Sequence, residues 1–319
     1  MEPEKKEKIY YGTIPCQGKT TAGLDCANKA YWECKTSGGK RSASYLCGVH
    51  SKKIKTRKEL PYDSQARVRR LLEYKDREVK VEQARLKYER MEKKGHIICD
   101  VMKMRKEAPH KDGYLKVFPN FLHGKREDGY GCSSLSPKSL GPVLHSEYDM
   151  PEAKNIENYH QAAKIYPWEI DAKGTLIPGS IQVIKNIYKD PIPHRHKFTA
   201  ADKGKALYAI RFDIHGKMHK FDPIQLRYFY CYYYALLAKK QEQFHELVKL
   251  WNSGTNLQIT GYDGYPLTKP LIEHYKDASK PYGHERVLAT LLLVENPKDY
   301  PWEIYRREYP ELYEGFNLD

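Results

Sequence analysis

The feature that most limits how this chain can fold is the crowding of cysteines at its start. Four of the seven, Cys16, Cys26, Cys34 and Cys47, fall within the first 47 residues, and His50 follows closely. Residues 1–58 are rich in Gly, Thr, Ser and Cys and carry no long apolar period. A secreted disulfide framework spaces its cysteines more evenly and follows a signal sequence, whereas the start MEPEKKEK has no apolar signal core. The clustering therefore points to metal in a reducing, intracellular compartment. Zn²⁺ takes four tetrahedral N/S ligands. Cys47-Gly-Val-His50 forms one half-site, and Cys16 and Cys26, flanking a Thr- and Gly-containing turn, form the other. Cys34 is either a spare or an alternative to one of the first two. A site with four protein ligands keeps no open position, so such a Zn²⁺ is structural rather than catalytic.

The same stretch resembles a small zinc-finger-like pattern, C-x-G-x-T-x-x-G-x-x-C-x-N-x-A…Y-x-C-x-x-H. It is matched by Cys16, Gly18, Thr20, Gly23, Cys26, Asn28, Ala30, Tyr45, Cys47 and His50. The resemblance implies a structural module of the kind found beside nucleic-acid or modification domains.

Residues 63–94 contain neither Gly nor Pro, begin after Pro61 and stop at Gly95. They predict one long helix with a narrow apolar stripe of Val68, Leu72, Val79 and Leu86. Residues 51–95 hold sixteen Lys or Arg against eight Asp or Glu, and the whole chain has a net charge of +14. A concentrated positive segment favours anionic partners, nucleic acid first. Residues 59–95 thus read as a basic helical linker between the module at 1–58 and a globular domain at 96–319. No run approaches the ~18 apolar residues of a membrane span, so no membrane partner is expected.

Within 96–319 the predicted helices are 151–166, 223–252, 268–278 and 283–294. ALYAIRFDI (206–214) predicts a strand turning at His215-Gly216-Lys217, while 180–188 fits a strand or a helix. The run Tyr228-Phe229-Tyr230-Cys231-Tyr232-Tyr233-Tyr234 surrounds its helix completely, which predicts a buried core helix rather than a base-stacking platform. In NIENYHQAAKIY (155–166), Glu157, Gln161 and Lys164 are spaced to share one helical face.

That helix belongs to a longer pattern. Leu135-Ser136-Pro137 precede it; Glu157, Tyr159, Gln161, Ala162 and Lys164 form it. Leu247, Leu250, Ser253, Gly254 and Leu257 follow, then Tyr262-Asp263-Gly264-Tyr265, then Gly283, Leu288 and Leu291-Leu292. In this order they resemble the NADAR family of N-glycosidases over about residues 128–295. The chain departs from the family in lacking a Trp-Gly pair unless Tyr282-Gly283 replaces it, in placing His284-Glu285 where the family tends to have Asn, and in carrying 167–222 as an insertion. The resemblance implies an α+β, helix-dominated domain that hydrolyses an ADP-ribosyl or related N-ribosyl bond, with ADP-ribosylated substrate or nucleic acid as partner.

Such cleavage develops positive charge on the sugar, which carboxylates stabilise while one of them handles a proton. Glu157 and Asp263 are the catalytic candidates. Lys164 and Arg227 are candidates for holding phosphate, Tyr159 and Tyr262 for stacking on a base, and Gln161 for polar contact with substrate. His284, at a predicted helix start, is a further phosphate candidate. The alternative is a non-enzymatic nucleic-acid-binding or virion-associated protein of a large DNA virus, a source that the Tyr, Lys and Ile content and the finger-plus-domain layout suit. Its setting would be the host cytoplasm or the virion.

Overall fold

A computed structural model describes residues 14–35, 43–60, 64–103, 106–194 and 206–318, with backbone alone at 64–69. The chain falls into two compact units, Met1–Asp76 and Arg77–Asp319. In the first, β1 (Trp32–Lys35) is the middle strand of a three-stranded antiparallel sheet, between β2 (Ala43–Leu46) and β3 (Arg57–Glu59). Its small core is built largely of the cysteines themselves, Cys16, Cys26, Cys34 and Cys47 with Leu46, edged by Tyr31, Trp32 and Ile54.

Helix α1 (Ser64–Arg90) is a single element, as the Gly- and Pro-free stretch predicts. The boundary between the units falls inside it. From Arg77 onward it belongs to the second unit. There Arg77 pairs with Glu107 at 3.1 Å and Lys80 with Asp112 at 2.7 Å. Gly254 (φ +91°) lets the chain turn tightly beside Tyr88. Leu72 and Val79 of the apolar stripe are exposed. The start of the predicted helix at 63, and the side chain of Val68, lie outside what is described.

The second unit is mixed α and β. Strands β4 (Ile97–Val101), β5 (Tyr114–Phe118), β6 (Tyr130–Gly131) and, from later in the chain, β10 (Asn256–Gly261) form a four-stranded parallel sheet of order β4-β10-β5-β6. Helix α2 (Ile156–Ala162) and strand β7 (Lys164–Ile165) follow, then α3 (Ser180–Lys189) and the hairpin of β8 (Tyr208–Phe212) and β9 (Met218–Phe221). The hairpin turns at Gly216, φ +85°, where the sequence placed its turn. Residues 180–188 are helical, and α3 packs on α2.

The predicted helix 223–252 is two helices, α4 (Pro223–Ala238) and α5 (Glu242–Asn252). Asp222 caps α4 through the N–H groups of Ile224 and Gln225, ahead of Pro223. Around α4, Tyr228, Phe229, Tyr230, Cys231, Tyr233 and Tyr234 are all buried, as expected of a core helix. Their hydroxyls find partners: Tyr234 donates to the Leu135 carbonyl at 2.7 Å and Tyr228 to Glu303 at 3.2 Å. Strand β10 (Asn256–Gly261), buried at every position, runs between β4 and β5. Helices α6 (Leu271–Lys276), α7 (His284–Leu293) and α8 (Pro301–Glu308) complete the unit.

Candidate functional site

Ligands of open parallel sheets gather beyond the carboxyl ends of the strands, and one cavity of the second unit has that position. It holds about 460 Å³. The loop after β5 supplies Asn120 to His123, the turn after β10 supplies Tyr262 and Asp263, and the start of α7 supplies His284 and Glu285. From the other side come Glu157, His160 and Gln161 of α2, with Lys164, Arg227 and Tyr230. Asn120 is tied to the end of β10 by a 3.2 Å hydrogen bond to the Thr260 carbonyl.

Helix α2 stands at this wall because its amino end is held by the preceding loop. The Glu157 N–H donates to the Pro137 carbonyl at 3.0 Å and the Ile156 N–H to that of Leu140 at 2.9 Å. The Asn155 side chain caps the Asn158 N–H at 2.9 Å. The polar side predicted from sequence is a connected ladder: Gln161 Nε2 donates to Glu157 Oε1 at 3.3 Å, and Lys164 Nζ donates to Gln161 Oε1 at 3.0 Å. The helix ends at Ala162, so Lys164 continues the ladder from β7.

Among the predicted site residues, Glu157, Gln161, Lys164, Arg227, Tyr262, Asp263 and His284 all line this one cavity. Tyr262 lies at its rim, 45 % exposed, near Phe121 and Leu122, whose side chains also reach solvent. Two roles need correction. Tyr159 points into the core, where the Arg211 guanidinium lies 3.5 Å over its ring, so it is not available to stack on a substrate base. Arg227 reaches the cavity, but its guanidinium donates to the carbonyls of Tyr275, Asp277 (3.0 Å) and Lys280 (2.6 Å). It braces the 275–281 segment instead of waiting for phosphate.

Two further residues went unrecognised in the sequence. His160 packs against Tyr230, ring centroids 5.0 Å apart, and burial holds its imidazole well below the usual range, hence neutral. Glu285 is 0 % exposed, and no other side chain hydrogen-bonds either carboxyl oxygen. Burial pushes this carboxyl up; the His284 imidazole, with Nδ1 3.4 Å from Oε2, and the nearby N–H groups of Glu285 and Asp263 pull the other way. The one sequence signal was an acid standing immediately before the apolar run of α7.

The loop between β5 and β6 is fixed by Asp128, 7 % exposed, which accepts from Lys116 at 3.0 Å and from Arg126 at 2.6 Å and 2.7 Å. Burial alone would raise its carboxyl, but the hydrogen bonds from Arg126 and Lys116 prevail and hold it at about 2. A carboxyl held below its ordinary ~3.9 stabilises the fold above that pH and loses the contribution as pH falls toward the folded value. Asp128→Asn is therefore expected to cost about 2 kcal/mol near pH 5, with the gap closing toward about pH 2. Denaturant titrations of both proteins across that window check it; a gap that does not depend on pH would refute the assignment.

In the first unit, one ligand atom each from Cys16, Cys26, Cys47 and His50 lies within 4.8 Å of the others. Cys34 is buried in β1 outside this group, which settles its alternatives in favour of the spare. His50 Nε2 donates to the Lys19 carbonyl at 2.7 Å, leaving Nδ1 to face the Cys16 and Cys47 sulfurs, both at 3.4 Å. The N–H of Cys47 donates to the Cys16 sulfur at 3.2 Å, and the Asn28 amide donates to that of Cys26 at 3.2 Å. Burial pushes the Cys47 thiol up, but hydrogen bonds led by the backbone N–H groups of His50 and Val49 bring it down to about 6, favouring thiolate. A side chain at Gly18 would stand 2.5 Å from the His50 ring, so the imidazole needs glycine there. Three cysteine sulfurs and an oriented imidazole are a donor set that fits a bound metal ion.

Among the described residues, no helix is long and apolar enough to cross a membrane. No family model, curated protein or solved structure matches the chain.

Proposed function

We propose that the second unit hydrolyses an N-glycosidic bond of an ADP-ribosyl or related N-ribosyl group, and that the first unit is held by a structural Zn²⁺. The observation carrying this reading is the gathering of Glu157, Asp263 and Glu285 around one cavity of nucleotide-like size, with Lys164 hydrogen-bonded into the same ladder. Carboxylates stabilise an oxocarbenium-like sugar and activate water, and a lysine counters phosphate charge. Tyr262 at the rim offers a ring for a base. The resemblance of residues 128–295 to the NADAR family supports the same chemistry. Zn²⁺ suits a closed Cys₃His set.

Exposed Lys52, Lys53, Lys55, Arg57 and Lys58 in the first unit favour binding of a polyanion, which would bring a nucleic-acid-borne substrate to the enzyme. They also carry the second reading, a nucleic-acid-binding protein without turnover. The test is hydrolysis of ADP-ribosylated guanine nucleotides and ADP-ribosylated DNA by wild type and by Glu157→Gln. Turnover is expected to fall on the order of 100-fold or more in the variant with folding intact. A folded, metal-loaded wild type that turns over none of these substrates would leave the binding reading in its place.

A further inference from the structure

The inference rests on the glycosidase reading and concerns Glu285. We infer that Glu285 is the proton donor to the leaving group in this cavity. Glu285 belongs to the cavity wall, its carboxyl is fully buried, and no other side chain hydrogen-bonds either oxygen. The site is shaped around it. A Cβ at Gly261 would run into Oε1, and one at Gly283 would stand 2.9 Å from Oε2, so both flanking positions admit the carboxyl by being glycine.

No permanent cation compensates it. Arg286, next in sequence, directs its guanidinium to the carbonyls of Tyr265 at 3.1 Å and of Pro266 and Pro281 at 3.4 Å. The titratable groups that face Glu285 are His284 on α7, Asp263 after β10, Tyr230 and Tyr234 on α4, and Cys99 on β4. Apart from a protonated His284, none of these brings positive charge. A buried carboxylate without a counter-charge is costly, so the carboxylic acid is the favoured form. Glu285 retains a proton at the wall of the cavity.

In the step itself the C1′–N bond breaks and its electron pair goes to the leaving nitrogen, which takes the proton from Glu285. Water adds to C1′ and gives a proton to the Glu157 carboxylate. One water is consumed, and one N–H and one C1′–OH are formed. Glu157 then releases its proton to solvent while the neighbouring His284 returns one to Glu285.

The test uses two probes on wild type and E285Q. An N-ribosyl guanine nucleotide has a nitrogen that leaves as an anion unless protonated; a ribosyl pyridinium such as NAD⁺ has one that leaves neutral. Loss on the order of 100-fold on the first, with little change on the second, is the expected result. Equal loss on both would overturn the donor role and leave the glycosidase reading intact. A wild type inactive on both would remove that reading and the donor role with it. Glutamine copies the neutral acid, so E285Q is expected to melt no lower than wild type. Should it not fold, the infrared carboxylic-acid band of the wild type at neutral pH decides: its absence overturns the proposal without reference to activity.

Discussion

Cys47→Ser is expected to unfold the first unit while the thermal transition of the second stays in place. The described core of the first unit consists of Cys16, Cys26, Cys34, Cys47 and Leu46, with only Tyr31, Trp32 and Ile54 packed around it. So few apolar groups do not hold a small unit together, whereas a structural metal in a closed thiolate site contributes about 10–16 kcal/mol in comparable small modules. Cys47 is central to that arrangement. Its sulfur lies 3.4 Å from His50 Nδ1 and accepts from the Asn28 amide at 3.6 Å, and its N–H serves the Cys16 sulfur. Serine keeps the size and removes the soft thiolate. Hydrogen exchange over residues 14–60, with and without a chelator, reads the effect. Protection should vanish in Cys47→Ser and in chelated wild type alike, and persist in Cys34→Ser because Cys34 is not in the ligand group. Full protection in chelator-treated wild type would show that the unit stands without metal.

The contrast between Cys47 and Cys34 shows how far the sequence could be read. Spacing identified Cys47-x-x-His50 as a half-site, because two intervening residues let both side chains meet one ion, and the structure brings together the four expected donors. It could not decide on Cys34, whose direction is set by its pairing with Ser44 across the sheet. The ladder of Glu157, Gln161 and Lys164 was legible for a similar reason: local helical spacing fixes which side chains are neighbours. The parallel sheet was not. Asn256 to Gly261 are all buried, and such strands show no alternation of polar and apolar residues. With β10 missed, the position of Asp263 beyond its carboxyl end carried no meaning, nor did the closeness of Glu285 to Gly261. Tyr159 and Arg227 were misassigned because side-chain direction and prior engagement are properties of packing: one is covered by Arg211, the other held by three carbonyls.

Arg211→Met is expected to lower the stability of the second unit by about 3–5 kcal/mol, the cost of leaving a buried charge without its partner. Arg211 on β8 is fully buried and Glu147 is buried beside it, its Oε1 accepting from the Arg211 Nη1 at 3.0 Å. The guanidinium also donates to the Tyr159 carbonyl at 3.0 Å and to the Tyr188 hydroxyl, and covers the Tyr159 ring. It therefore ties together β8, α3 and α2, the helix that presents Glu157 to the cavity. Methionine fills much of the same volume but gives Glu147 no counter-charge, so the loss comes from the stranded carboxylate more than from packing. The double variant Arg211→Met/Glu147→Gln separates the two. If the charge is the cause, neutralising Glu147 recovers a large part of the loss, a positive coupling between the two sites in a denaturant-measured cycle. Strictly additive losses would assign the effect to packing. Because Tyr159 and Glu157 share one short helix, the single variant should also weaken turnover at temperatures where it remains folded, whereas the double variant, with α2 better supported, should regain part of it.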